Sequence, residues 1–232
     1  MKTTVYILLG VVLFLFSCKK DNEVTPSTRG YSYAALEVGN YIIYDVDSVF
    51  YDDFDQSVTP YYFQIKEVVD SKYTDAEGEE AFKIIRYKKD TALSQNWELQ
   101  VVWNAKINST TYQKVEHNKR YVKLIFPVKS GKSWNGNSLN NEGVWDYEYM
   151  SVHAPETIGN IPLDSVATVT QFDDGGEILI QRQFYQEKYA AKIGMVYKKV
   201  IDIKKAFNNQ TGFYENSLGV DVTYTINTFG KE

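Results

Sequence analysis

The sequence predicts an all-β domain: an antiparallel meander that closes into a barrel or a curved half-barrel, with a β-sandwich as the alternative and at most one short helix. Three observations support this. Apolar and polar residues alternate along about eleven segments, turn-forming residues separate them, and no long amphipathic helical pattern interrupts residues 31–232. A barrel is favoured over a sandwich because closure removes most exposed sheet edges.

The clearest strand pattern covers residues 219–230. Val222 and Tyr224 alternate there with Thr223 and Thr225, as a strand with one wet face requires. The further predicted strands are 42–50, 61–69, 81–88, 97–103, 110–116, 120–126, 143–153, 165–172, 177–185 and 195–203. Residues 187–192, which precede Gly194, are predicted to form the one helical turn.

Short turn motifs separate these predicted strands. The segments are 75–78 (DAEG), 117–119 (HNK) and 173–176 (DDGG). Their glycines and asparagine tolerate positive φ, and their aspartates can bond to their own backbone. Hairpin-sized connections of this kind predict that neighbouring strands in the sequence pair with each other.

Residues 1–17 are predicted to be a signal peptide, because a lysine at position 2 precedes an apolar run at 5–16. As a helix this run would cover roughly 18 Å, which is short of the ~30 Å hydrocarbon core of a bilayer. We therefore divide the chain into the leader at 1–17, an acylated cysteine with a polar tether at 18–30, and one β-rich domain at 31–232.

Cys18 directly follows the apolar run, and LFSC at 15–18 resembles a bacterial lipobox. The resemblance implies that the leader is cut before Cys18 and that acyl chains such as palmitate are attached to this residue. Several acyl chains give a lasting membrane anchor where one would be marginal. The segment 19–23 (KKDNE) is similar to the export signal of Bacteroidetes-type surface lipoproteins, which implies an outer-membrane location and favours the surface leaflet over the periplasmic one.

Segments across the predicted domain resemble an uncharacterised family of Bacteroidetes-type lipoproteins. The segments are 36–40 (LEVGN), 44–49 (YDVDSV), 126–137 (FPVKSGKSWNGN) and 189–198 (YAAKIGMVYK). The resemblance supports the location and the extent of the domain. It implies no activity.

The composition excludes several classes of function. A formal charge of −5 without a basic block leaves nothing to attract a phosphate backbone, so we expect no nucleic-acid partner. One cysteine and two histidines do not make a Cys- or His-rich metal centre, and we expect neither a metal site nor a cofactor.

No recognisable catalytic set follows from the motifs. Residues 131–133 (GKS) resemble the end of a phosphate-binding loop, but Phe126 stands where that motif needs glycine. His117 lies in a polar turn and His153 lacks a partner that the sequence identifies. The aspartates at 45–55 do not follow the spacing of a calcium loop. We therefore predict no catalytic residues and regard a hydrolase as the third choice.

Aromatic residues make up 15% of the chain, and one predicted strand face carries Trp145, Tyr147 and Tyr149. Such a face either packs in a core or presents rings for stacking on a ligand. We take these three residues as candidate ligand-binding residues. The leading prediction is a non-enzymatic binding or structural lipoprotein with a glycan, apolar-ligand or protein partner. The alternative is a lipocalin-like carrier of an apolar or lipid-like ligand.

Overall fold

The computed structural model describes residues 29–90, 94 and 96–232, and in these residues it confirms the all-β prediction. One antiparallel sheet has twelve strands: β1 (Asn40–Tyr51), β2 (Val58–Thr74), β3 (Glu80–Lys89), β4 (Glu98–Ile107), β5 (Thr111–Glu116), β6 (Lys119–Ile125), β7 (Ser133–Asn135), β8 (Asp146–Ile158), β9 (Ile161–Asp173), β10 (Gln181–Ala190), β11 (Gly194–Asn208) and β12 (Phe213–Lys231). A 3₁₀ turn at Tyr31–Tyr33 is the one helical element of the described residues.

The sheet consists of two meanders, one of β1 to β6 and one of β7 to β12, and the pairing of β1 with β12 joins them. β6 to β1 follow one another, β1 pairs with β12, and β12 to β7 complete the sheet. The directions of the strands place the turns at 52–57, 117–118, 174–180 and 209–212 at one end, here called the upper end. The turns at 75–79, 108–110, 159–160 and 191–193 lie at the lower end, where the 3₁₀ turn also lies.

The sheet curls into a nearly closed barrel with one seam, between the edge strands β6 and β7. Within the described residues these strands form no ladder. The amide of Val122 donates to the Gly136 carbonyl at 2.9 Å, and the Trp134 indole Nε1 donates to the Val122 carbonyl at 2.8 Å. Isolated bonds, one of them from a side chain, therefore hold the seam.

The predicted helical turn at 187–192 is wrong. Residues 187–190 continue β10, where Glu187 and Tyr189 are buried and pair with both β9 and β11. Two neighbouring strands satisfy the backbone there, and this pairing overrides the local helix preference of residues such as Glu187 and Lys188. Residues 191–193 form the turn that follows.

Two apolar clusters fill the barrel interior. One groups Tyr33 of the 3₁₀ turn with residues from β3 to β6, β8, β9 and β10, and the other groups residues of β1, β2 and β8 to β12. The hydroxyl of Tyr33 lies 2.9 Å from His153 Nδ1 and 2.8 Å from the Ser165 hydroxyl. The 3₁₀ turn is thereby fixed against the lower end. No helix in the described ranges is long and apolar enough to cross a bilayer.

We expect Tyr149→Phe to weaken the seam. The Tyr149 hydroxyl donates to the Ile125 carbonyl at 2.9 Å and accepts the Ile125 amide at 3.0 Å, beside the seam that Trp134 bridges. Loss of these bonds is expected to lower the free energy of unfolding by about 1–3 kcal/mol, measured by urea denaturation. Tyr214→Phe, at an exposed tyrosine of the β11–β12 hairpin, is the control. Equal effects of the two substitutions would contradict the role of Tyr149.

Candidate functional site

Six ionisable side chains form a charged layer inside the barrel. They are Glu67, Arg86, Lys114, Glu116, Lys123 and Glu187, and each side chain is at most 12% exposed. Glu67 is paired with Arg86 across β2 and β3, and Lys114 and Glu116 alternate on β5. Because Lys123 of β6 reaches Glu187 of the non-adjacent strand β10, this layer crosses the interior of the barrel.

The cations and carboxylates of the charged layer alternate. Arg86 and Lys114 contact the two oxygens of Glu67 at 3.1 and 2.9 Å. Lys114 then lies 3.5 Å from Glu116. Lys123 completes the chain, 3.3 Å from Glu116 and 2.9 Å from Glu187. Three cations are thus matched by three carboxylates, as burial of charge requires.

A β-bulge places Lys123 in this layer. Tyr112 is paired with Leu124 and Gln113 with Val122, so that Lys123 is the extra residue of β6. Such a bulge turns two successive side chains to one face of the sheet. Both Lys123 and Leu124 are therefore buried in the interior, where strict alternation would send one of them outward.

Glu116, Lys123 and Glu187 are ionised at neutral pH. Burial alone would raise the pKa of Glu187, but Lys123 and Lys198 outweigh it and lower this pKa to about 2. Burial likewise opposes ionisation of Glu116, while Lys123, Lys198 and Lys114 hold its pKa well below the ordinary value. Burial disfavours the charged form of Lys123, yet Glu116 and Glu187 raise its pKa.

Two buried donors have no hydrogen-bond partner among the described residues, and one of them lies beside these charges. Trp103 Nε1 belongs to an indole that lies under Arg86 and Lys114, each 4.6 Å from a ring centroid. Gln171 Nε2 belongs to a side chain in a bulge of β9, next to Phe172. An unpaired buried donor costs about 1–3 kcal/mol, so both atoms favour an oxygen acceptor from water or a ligand.

Three partly exposed aromatic rings lie at the upper end of the interior. Trp145 stacks on Phe172 with a centroid distance of 5.1 Å and meets Tyr185 edge to face at 4.7 Å. The Tyr185 hydroxyl donates to Asp202 at 2.8 Å. We call Trp145, Phe172 and Tyr185 the aromatic mouth. Its rings, with the carboxylate of Asp202, form a surface that suits a ligand with both an apolar face and hydroxyl groups.

Of the three residues taken from the sequence as candidates, the structure places one at this mouth. Tyr147 and Tyr149 are buried, with Tyr147 against Trp134 and Gly136 and Tyr149 at the seam. Phe172 and Tyr185 were missed, because their meeting with Trp145 depends on the pairing of β9 with β10. Cys18, the predicted lipidation site, lies outside the described residues.

A cavity of about 50 Å³ lies between the charged layer and the segment that follows the 3₁₀ turn. Glu67, Tyr112 and Lys114 line one side, and Leu36 and Met195 line another. This volume holds a few water molecules. It is well below the roughly 300–1,000 Å³ of pockets that enclose small-molecule ligands.

One carboxylate cluster has the spacing of a metal site. Oxygens of Asp75, Glu77 and Glu79 lie within 4.8 Å of one another at the lower end. The Lys106 ammonium contacts all three residues, at 3.0 Å from Asp75 and 2.8 Å from Glu79. A protein cation therefore already contacts all three carboxylates and offsets part of their charge.

The two histidines do not meet. His117 is in the β5–β6 turn with its ring 5.7 Å from that of Trp103, while His153 contacts Tyr33 near the lower end. The aspartates considered for calcium also have other partners: Asp45 accepts from Gln64 and Asn227, and Asp52 and Asp55 accept turn amides.

Fold and site together define a nearly closed barrel with a charged interior and an aromatic mouth. The sequence matches no protein-family model and no curated protein. A protein of Bacteroides fragilis, provisionally described as exported and with a YmcC-like fold, has a TM-score of 0.43 at 12% identity, covering 84% of this chain and 97% of its own. A provisionally described lipoprotein of Parabacteroides distasonis has a TM-score of 0.41 at 8% identity, covering 85% and 98%. Likenesses at this level carry no conclusion about the function of this chain.

Proposed function

We propose that this chain is a non-enzymatic lipoprotein, anchored to the outer membrane through acylated Cys18, that binds a glycan at the aromatic mouth. The observation that carries this proposal is the meeting of Trp145, Phe172 and Tyr185, which leaves three rings partly exposed beside polar groups. The C–H face of a sugar ring stacks on such rings, and its hydroxyl groups need donors and acceptors nearby.

Polar side chains with the required chemistry lie next to the rings. Asp202 accepts hydrogen bonds from the Tyr185 hydroxyl and from Gln183 Nε2 at 3.1 Å, and carboxylate oxygens have further lone pairs for sugar hydroxyls. These groups stand on β10 and β11, which are paired along their length. These paired strands keep Tyr185, Gln183 and Asp202 in place before a ligand arrives, which lowers the entropy cost of binding.

The position of the mouth also favours a binding role. The described chain begins at the lower end, where the Val128 amide donates to the Arg29 carbonyl at 3.0 Å. The mouth is at the upper end, beside the turn at 174–180. A tether that enters at the lower end would leave the mouth facing away from the membrane, which suits display at the cell surface.

The alternative, a carrier of an apolar or lipid-like ligand, has less support. The charged layer crosses the space that such a ligand would occupy. An apolar ligand there would displace the water that still solvates the charged side chains, and this desolvation is unfavourable. The cavity of about 50 Å³ is lined in part by Glu67 and Lys114.

We expect Trp145→Ala to weaken glycan binding at least tenfold, because the central ring of the mouth is lost. The full-length chain in detergent would be screened on an array of bacterial and host oligosaccharides, and a hit would be titrated by calorimetry. Trp97→Ala is the matched control, since Trp97 lies under the Lys89 ammonium and not at the mouth. No bound glycan, or equal affinities of the wild type and Trp145→Ala, would overturn the proposal.

A further inference from the structure

We propose that the glycan is an acidic one and that Lys198 receives its carboxylate. This inference rests on the proposed function, since it names the ligand class of the same mouth. The three cations and three carboxylates of the charged layer balance, and Lys198 of β11 is a fourth cation that contacts this layer at Glu187. Together with Lys198, the described charged layer has four cations and three carboxylates, while the carboxylate of Asp202 lies at the mouth.

Lys198 has a longer ion pair with Glu187 and a more exposed side chain than Lys123. Glu187 receives the Tyr189 hydroxyl at 2.5 Å on one oxygen and Lys123 at 2.9 Å on the other. Lys198 shares that second oxygen at the longer distance of 3.3 Å, and its side chain is 24% exposed against 4% for Lys123. An ammonium with one long ion pair and partial exposure can accept a carboxylate without breaking the existing network.

The register places Lys198 beside the mouth. Lys198 is paired with Glu187 and Val200 with Tyr185 across β10 and β11, so Lys198 and Tyr185 are diagonal neighbours on one face. Such neighbours lie about 7–8 Å apart, and a long side chain spans this distance. A sugar stacked on Tyr185 and Trp145 would therefore have a substituent within reach of Lys198.

Other groups fix the orientation of this ligand. Asp202 lies on the opposite side of Tyr185 along β11, where it would repel a carboxylate and accept sugar hydroxyls. Gln171, 4% exposed and adjacent to Phe172, has an amide nitrogen without a partner in the described residues, and this donor would suit a ligand oxygen. The acid group is thus directed inward and the hydroxyl groups toward the rim.

The test compares each acidic oligosaccharide with its methyl ester, which keeps the ring and removes the charge. The probes are trisaccharides of galacturonate, of glucuronate and with a terminal N-acetylneuraminate, titrated by calorimetry into the full-length chain at low salt. We expect at least one acid to bind tenfold or more tightly than its ester. Lys198→Gln should abolish this preference and leave ester binding unchanged, while Lys198→Arg should keep it.

Lys199→Gln is the control, because Lys199 is the next residue on β11 and is bound to Asp221 and Thr223 instead. Urea unfolding of each variant checks that it folds. Binding of esters or neutral glycans as tight as that of the acids would overturn the acidic-ligand inference and leave the proposed function standing. Lys198→Gln weakening acid and ester alike would overturn the role of Lys198. Binding of no glycan of either kind would overturn the proposed function itself.

Discussion

Glu187→Gln is expected to lower the free energy of unfolding by about 3–5 kcal/mol, the usual cost of leaving a buried charge without its partner. Glu187 is fully buried, forms ion pairs with Lys123 and Lys198, and accepts a hydrogen bond from the Tyr189 hydroxyl. The amide keeps the shape of the side chain but removes its charge. Lys123, which is also buried, would then retain Glu116, at 3.3 Å, as its one carboxylate partner among the described residues. Urea denaturation of the purified chain measures the effect.

A double-mutant cycle separates the ion pair from general loss of packing. Lys123→Met alone leaves Glu187 with the longer contact to Lys198, and we expect a comparable loss of stability. The double variant removes both charges, so its destabilisation should fall short of the sum of the single values by more than about 1 kcal/mol. Glu215→Gln, in the exposed β11–β12 hairpin, should stay within about 0.5 kcal/mol of the wild type. Additive single effects would show that the two residues do not act as a pair.

The sequence predicted the fold better than the site, and the reason is the range of the interactions. Alternation is local: Val222 and Tyr224 identify β12 without reference to any other strand. The strand at 177–185 was displaced, because Ile180 and its neighbours mimic a strand while the pairing with β9 places β10 at Gln181–Ala190. The assignment of a helical turn to 187–192 failed for the same reason.

The charged layer shows why the interior could not be predicted. Glu67, Lys114 and Glu187 each stand in a strand where a solvated outer face is the usual place for a charge. Only the curvature of the sheet brings these side chains together. Glu67 and Lys114 are 47 residues apart in the sequence, and Lys123 and Glu187 are 64 residues apart. Bulges at Lys123 and Gln171 also break the alternation on which the inside–outside assignment depends. A lysine within an apolar stretch, such as Lys123 between Val122 and Leu124, was the available signal.

The same network predicts how stability depends on pH. The pKa of Glu187 is lowered from 4.5 to about 2 in the folded protein, although burial alone would raise it, because Lys123 and Lys198 favour the carboxylate. The unfolded chain therefore binds this proton at a higher pH than the folded one. The stabilisation is fully present above about pH 5 and is lost as the pH falls from there toward 2.

Urea denaturation of the wild type at pH 7, 5, 4 and 3 should show a progressive fall in the free energy of unfolding below pH 5. Glu116, whose pKa lies well below its ordinary value because Lys123, Lys198 and Lys114 overcome the effect of burial, adds to the fall. Glu187→Gln cannot take up this proton, so its smaller starting stability should decline less over the same range. Parallel curves for the two proteins would mean that Glu187 does not titrate as its surroundings require. A shallower curve for the variant would tie the acid sensitivity of the barrel to the charged layer that lies beneath its mouth.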